Sequence, residues 1–255
     1  MNTENKLLQI AISLGLGLLT WGALIFLHNI TSSISTLERV FSLLGGTPES
    51  IIQFVSYVAF YFGLIQMYFL HKDIKNESKA FELNLLPAED QLVLTPTEVM
   101  ELKLGIIDME KKGIKYKVAD FIKKTCTQYR NDNSVTDTLQ VLDVHIGNNK
   151  EYMEGNLSMV RYIIGAIMSL GFIGTLIGLS SAIGQAHLAK TDEGMPILTG
   201  YLNVAFDTTL LALILGLILN YFYHRYIEDL DKFFANSKTY IVDNLISRIY
   251  APAVK

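Results

Sequence analysis

The amino-acid sequence predicts an all-α fold: a polytopic membrane protein with four transmembrane helices and cytoplasmic helical extensions. Half of the 255 residues are hydrophobic, and the mean hydropathy is +0.31. The charged residues make up only 18 % of the chain and lie almost entirely between four apolar blocks. Each block is about 20 residues long, which is the length that an α-helix needs to cross the hydrocarbon core of a bilayer.

The four blocks differ in their polar residues. The first three contain no charged side chain, whereas the fourth contains Asp207 and ends in an aromatic and cationic cluster of the kind found at membrane interfaces. The first block is longer than the core of a secretory signal and no small-residue cleavage site follows it, so we expect a retained helix. The predicted transmembrane helices cover residues 7–27, 51–70, 162–183 and 202–223.

The distribution of lysine and arginine predicts the orientation. Residues 71–157 contain twelve of them and the tail after residue 223 contains five, whereas the loops 28–50 and 184–201 contain one each. Loops rich in these residues stay in the cytoplasm, so we expect both termini and the long loop to be cytoplasmic and the two short loops to face outward.

Four regions follow from the spans and their orientation. They are an N-terminal transmembrane hairpin, a cytoplasmic helical region, a channel-core transmembrane pair and a cytoplasmic C-terminal helix. Their bounds are residues 1–72, 73–157, 158–226 and 227–255.

The cytoplasmic region carries its own helix signals. The run Thr95-Pro96-Thr97-Glu98 is a capping box with proline at the first helical position, and Gly113 is a stop signal. The run Gly147-Asn148-Asn149 is a second candidate stop. We therefore expect helices over about residues 96–112, 117–130 and 136–145, a further helix from residue 150 into the third block, and a last one over about 231–250.

The sequence offers nothing that indicates an enzyme. It contains no phosphate-binding glycine loop, no metal-ligand spacing and no nucleophile elbow, and its five histidines are scattered. The single cysteine, Cys126, excludes an internal disulfide and is expected to be a buried thiol. The net charge of −4 gives no reason to expect nucleic-acid binding. We predict no catalytic residue, no metal site and no cofactor.

Small residues recur at helical spacing in the last two blocks. In lipid the hydrophobic effect does not drive helices together, so their association depends on close packing, which small residues allow. We therefore predict that the third and fourth blocks pack on one another along two matching faces. The residues predicted to form these faces are Gly171, Gly174, Gly178, Ala205, Ala212 and Gly216.

Two threonines lie on the same faces. Thr175 is nine residues from Gly184, and Thr209 is nine residues from Gly200. At 1.5 Å per residue both hydroxyls lie ~13 Å from the outer ends of their helices, so they are positioned to line a polar path. The alternative is that each hydroxyl only bonds a carbonyl one turn earlier in its own helix.

Asp207 is the one ionisable residue inside a predicted span. Such residues are costly to bury and usually functional, so we predict that Asp207 belongs to the ion pathway, at a site of ion uptake or coupling. It lies ~200° around the helix from Thr209 and so faces a neighbouring helix. The alternative is a structural carboxylate that is hydrogen-bonded, with Tyr57 or Ser56 as partners, or that reaches the outer interface.

These residues also carry a family resemblance. Residues 161–226 contain a Gly-x-x-Gly-Thr-x-x-Gly string, an outward loop, an Ala-Phe-Asp-Thr-Thr string and a small-residue helix ending in Asn-Tyr. This combination resembles the signature of the MotA/TolQ/ExbB proton channel family. The four-span topology is similar to that of MotA, whereas Thr175 and Thr209 match the TolQ/ExbB pattern. The prolines of MotA-type spans are absent here.

The resemblance implies a function. It implies an ion-conducting subunit of an energy-transducing motor, or motor stator, in the bacterial inner membrane. It implies a homopentameric ring around two copies of a single-span partner resembling ExbD, TolR or MotB, with an aspartate on each partner helix carrying the ion. The implied ion is the proton. Sodium is the alternative, because oxygen atoms are added near the outer mouth by Ser180, Ser181, Thr208 and Asp207.

Two rival interpretations belong to other classes. The chain is alternatively a scaffold or assembly protein that keeps the helix pair but conducts nothing. A small-solute transporter would need inverted internal repeats, and the first two blocks do not mirror the last two. The sequence leaves open which process is driven: outer-membrane transport, envelope maintenance, motility or defence.

Overall fold

The computed structural model describes residues 3–31, 35–47, 50–87, 93–191 and 194–249. Over these residues the chain is helical and contains no strand, apart from one isolated parallel bridge between Leu94 and Ile249. The eight α-helices are α1 (Thr3–Thr31), α2 (Ser35–Leu43), α3 (Ile51–Ser78), α4 (Pro96–Lys111), α5 (Lys117–Asp132), α6 (Val135–Gly155), α7 (Ser158–Gly184) and α8 (Gly194–Asn244).

Four of these helices, α1, α3, α7 and α8, include segments long and apolar enough to cross a membrane. The predicted fold class is therefore confirmed. The helices exceed the predicted spans at their ends, and α8 is the extreme case at 51 residues. It joins the fourth block to the predicted C-terminal helix without interruption, because residues 217–244 contain neither glycine nor proline.

One predicted helix boundary is wrong. Helix α6 does not end at residue 145 but continues to Gly155, and the break falls immediately before Ser158 instead. Gly147 keeps a helical backbone, because the buried side chains of Leu142, Ile146 and Met153 hold α6 in place on either side of it. Packing thus outweighs the local stop signal.

The short helix α2 lies in the connection between the first two membrane-spanning helices, where no helix was predicted. It packs on α1, and the chain then turns back towards α3 at Gly45, whose φ of +97° favours glycine. The next residue approaches α1 closely: a Cβ on Gly46 would lie 2.9 Å from the Leu24 carbonyl oxygen. The turn is further held by Tyr57, whose hydroxyl donates to the carbonyl of Leu44 at 2.8 Å.

The chain forms two compact units, which we call the membrane unit (Met1–Tyr68 with Ser158–His224) and the polar unit (Phe69–Leu157 with Arg225–Lys255). In the membrane unit, α1 and α3 meet at Gly17, where a Cβ would lie 2.6 Å from Val58. The Gln66 amide donates to Gln9 at 2.7 Å between the same two helices. Helix α3 in turn approaches α8 at Gly63, which packs against Leu219.

The polar unit has its own core. Phe121 and Tyr129 of α5 are buried, and Phe121 lies 6.3 Å from the ring of Phe234. The capping box at the start of α4 forms as predicted: the Thr95 hydroxyl accepts from the Glu98 amide, and the Glu98 carboxylate accepts from the Thr95 amide at 2.8 Å. The helix ends before Gly113, whose φ is +88°.

The membrane unit presents many large apolar side chains outward. On α7 these include Phe172 and Leu176, and on α8 they include Phe206, Leu213 and Leu217. A surface with so many exposed large apolar side chains is typical of places where lipid or other protein subunits replace water. The apolar surface therefore fits a protein that lies in a membrane.

Candidate ion path

Helices α7 and α8 are in close contact along their glycine positions. A Cβ on Gly171 would lie 2.5 Å from that of Ala212, and one on Gly178 would lie 2.8 Å from the backbone nitrogen of Ala205. A Cβ on Gly174 would overlap the side chain of Thr208. Any side chain at these three positions would push the two helices apart, so the small residues set the distance between them.

The predicted packing residues all lie on this interface. Gly171, Gly174, Gly178, Ala205 and Ala212 are buried there. Gly216 contacts α7 less tightly: its nearest neighbour is the terminal methyl of Met168, 3.2 Å from where a Cβ would be. That side chain is flexible, so this position tolerates adjustment better than the other three.

The structure brings the two predicted threonines together at one edge of the interface. Their hydroxyl groups are hydrogen-bonded to each other, and both side chains are half-buried. The Thr175 hydroxyl also lies 3.1 Å from the carbonyl oxygen of Ala205, and the Thr209 hydroxyl lies 3.0 Å from that of Gly171. Each hydroxyl thus reaches across to the neighbouring helix.

The same hydroxyls also reach back along their own helices. Thr175 lies 3.3 Å from the Gly171 oxygen and Thr209 lies 3.3 Å from the Ala205 oxygen, each one turn earlier. Each hydroxyl has one proton to donate, and it has three acceptors within reach: the other hydroxyl and the two carbonyl oxygens. Their hydrogen bonds therefore have several interchangeable patterns, a property suited to passing a proton or to offering oxygen atoms to a cation.

Asp207 is buried, with 4 % of its surface exposed, and it forms an ion pair. Arg39 of α2 donates to both carboxylate oxygens, from Nη1 to Oδ2 at 2.5 Å and from Nη2 to Oδ1 at 2.7 Å. The same Nη2 lies 3.5 Å from the side-chain oxygen of Asn203. The hydrogen bond to Asp207 raises the pKa of the Arg39 guanidinium above its ordinary value.

The partners expected for Asp207 are therefore wrong. The Tyr57 hydroxyl donates to a backbone carbonyl, and the Ser56 hydroxyl donates to the carbonyl of Ile52 at 2.9 Å. Sequence reasoning missed Arg39 as a functional residue. The available signal was the presence of a single arginine in a short loop and a single carboxylate in a span, which together favour an ion pair in a medium that penalises unpaired charge.

A cavity of about 750 Å³ lies beside this ion pair in the membrane unit. Residues of α1, α2, α3 and α8 line it, together with Thr47 and Ser50 of the connection between α2 and α3. His28 is among them, and its buried Nδ1 has no hydrogen-bond partner within the described part of the chain. The cavity offers polar groups from several elements around the Asp207 carboxylate.

Cys126 lies in the polar unit. It is buried, and its burial raises the pKa of the thiol to about 12. A thiol with such a pKa is almost wholly protonated near neutral pH and is therefore a poor nucleophile. Within the described residues no cluster of His, Cys, Asp and Glu is arranged to hold a metal ion.

The fold and the threonine pair define a class: a helical membrane protein with a polar seam between two closely packed spans. The model of the MotA/TolQ/ExbB proton channel family matches residues 114–238, which include α7 and most of α8. The matched part of the chain belongs to this family. No curated protein and no solved structure matches the chain.

Membership establishes the general role. The family consists of membrane proton channels of energy-transducing complexes, which act together with partner proteins and are not enzymes. The predicted recognition is therefore confirmed, and so is the location in a membrane.

Proposed function

We propose that this chain is the ion-conducting ring subunit of an inner-membrane motor, in which proton flow produces mechanical work through a single-span partner resembling ExbD, TolR or MotB. The observation that carries the proposal is the hydrogen-bonded pair of Thr175 and Thr209 on a tightly packed helix pair. The two hydroxyls and two carbonyls form a group of oxygen atoms at one depth within the membrane unit.

The threonine pair fits a path that is completed by a partner. Both side chains are half-buried in the single chain, so an additional helix placed against the seam would reach them. We infer that five copies form a ring around two partner helices, with the threonines facing inward and an ionisable group of the partner carrying the ion. Asp207, paired with Arg39, lies beside the outer approach to this path.

The energetics are sufficient for such a motor. One elementary charge that crosses the membrane potential releases ~2.3 kcal/mol per 100 mV. At a potential of about 100 mV, each cycle of protonation and release therefore yields several times the thermal energy. The transported ion is proposed to be the proton, and sodium is the competing possibility because the outer approach contains serine, threonine and aspartate oxygens.

The competing function is a non-conducting scaffold or assembly protein. It is favoured by the hydrogen bonds that Thr175 and Thr209 make to carbonyls one turn earlier, which satisfy both hydroxyls without any ion. In that case the small-residue seam serves only to pack the two helices.

Copurification with a neighbouring single-span membrane protein, followed by single-particle imaging, tests the proposed assembly. The motor function predicts a five-fold ring that encloses two central helices, with Thr175 and Thr209 facing them. A monomer, or a ring with a lipid-filled lumen and no central partner, would favour the scaffold function.

A further inference from the structure

The ion pair between Arg39 and Asp207 joins the outer loop to the channel helix across 168 residues of sequence. Each carboxylate oxygen accepts a hydrogen bond from the guanidinium, so the contact is a bidentate ion pair in which the arginine neutralises the carboxylate charge. The carboxylate is buried, whereas 45 % of the arginine side chain is exposed. The arginine thus reaches in from an accessible position to neutralise a charge that lies deeper.

The surroundings of Asp207 supply no other cation. The charged and titratable groups that line the cavity are Glu38 and Arg39 from α2, His28 from α1, and Tyr201 and Asp207 from α8. The described lining residues from α3 and from the connection before it, Thr47, Ser50 and Gln53, are uncharged. Arg39 is therefore the one fixed positive charge among the described groups facing the carboxylate.

A carboxylate without its arginine would be a trap for cations. A buried, unpaired charge is unstable and lowers its energy by binding a proton or a metal cation. Conduction needs sites that bind an ion weakly enough to release it. Asp207 also lies ~200° around α8 from Thr209, so an ion held there would be on the wrong side of the helix for the threonine pair.

We propose that Arg39 is the resident counter-ion of Asp207 and a specificity-determining residue of the channel. It keeps the carboxylate from capturing the passing cation, which leaves the threonine pair as the only site of this chain that the ion contacts at that depth. The assignment rests on the proposed function as a channel. Its physical core, the permanent occupation of Asp207 by Arg39, is testable without any ion flux.

A hydrophobic carbodiimide provides the first test, because it reacts with protonated carboxyl groups within membranes. Membranes containing the full-length chain are treated at pH 7, and modification of Asp207 is quantified by mass spectrometry of its peptide. The wild type and Arg39→Lys should remain unmodified. In Arg39→Gln, Asp207 should be modified at least about tenfold more than in the wild type. The reason is that an adjacent opposite charge changes the balance between the charged and neutral forms of a carboxyl by about ten- to a thousandfold.

Arg161→Gln is the matched control. This arginine is in the same unit, and it donates to the hydroxyl of Tyr223 at 2.6 Å rather than to a carboxylate in the span. Its replacement should leave Asp207 unmodified. Sodium should protect Asp207 in Arg39→Gln from the reagent, because it competes with the proton for the freed carboxylate.

Proton flux into vesicles that contain the chain and its single-span partner provides the second test. Arg39→Gln should conduct less than the wild type, and the neutral double variant Arg39→Gln/Asp207→Asn should regain most of the lost flux, because it removes the trap. The flux of Arg39→Gln should also depend on external sodium. A pair that merely fastens α2 to α8 would produce no sodium dependence.

Two results would overturn the proposal: modification of wild-type Asp207 at pH 7, or an unmodified Asp207 in a folded Arg39→Gln variant. If that variant does not fold, the wild type alone decides, since its Asp207 should resist the reagent at pH 7. The two tests separate the two claims. If Asp207 is labelled as expected but no proton flux is found, the channel function is refuted, and with it the role of Arg39 in ion specificity. The occupation of Asp207 by Arg39 would still stand.

Discussion

Replacement of Gly178 by alanine should destabilise the helix pair. The added Cβ would lie 2.7 Å from the Cβ of Ala205, 2.8 Å from its backbone nitrogen and 2.8 Å from the carbonyl oxygen of Tyr201. Two of these atoms belong to the backbone, so no side-chain rotation relieves the contact. Overpacking of this kind costs about 1–3 kcal/mol, from which the better helix propensity of alanine recovers at most about 1 kcal/mol.

The matched control is Gly165→Ala in the same helix. A Cβ on Gly165 meets nothing within 4 Å, so only the propensity gain of about 1 kcal/mol remains and the variant should be equal to the wild type or more stable. Unfolding in detergent, followed by circular dichroism, measures both variants. A Gly178→Ala protein as stable as Gly165→Ala would refute the conclusion that the glycines set the distance between α7 and α8.

Three further predictions concern the polar unit. Thr95→Ala should cost about 1 kcal/mol, because it removes the hydroxyl that caps α4, and chemical denaturation should show the loss relative to Thr97→Ala. Gly147→Ala should stabilise by up to about 1 kcal/mol, because α6 is continuous there and a Cβ meets nothing within 4 Å; destabilisation would contradict the continuous helix. Cys126 should react very slowly with a maleimide at pH 7, because its pKa of about 12 leaves little thiolate, and rapidly after unfolding; the pKa predicts faster labelling only as the pH rises towards 12.

The membrane-spanning elements were predictable because they depend on local composition. Apolar runs of the required length identify α1, α3, α7 and α8 directly. The close packing at Gly171 and Gly178 was also readable, because small residues at helical spacing permit little else in lipid. Counting residues to the ends of their helices predicted that Thr175 and Thr209 lie at one depth; their direct hydrogen bond was not predicted.

Features that depend on distant partners were not predictable. Helix α2 is amphipathic, with Leu37, Val40 and Phe41 at helical spacing, but its nine residues are too few for that pattern alone to identify a helix. The contact between Arg39 and Asp207 joins residues far apart in the chain, and each was interpreted alone. The prediction that α6 ends before Gly147 failed for a related reason. Buried residues on both sides of the glycine outweigh its preference for a turn.

The most direct test of the proposed channel is proton flux into vesicles that contain the chain and its single-span partner. Thr175→Ala and Thr209→Ala should each reduce flux strongly, because each removes one of the two paired hydroxyls. Thr208→Ala is the matched control: its hydroxyl bonds only carbonyls of its own helix, at 3.0 and 3.1 Å, and should be dispensable. Equal flux in all three variants and the wild type would contradict a path through the threonine pair.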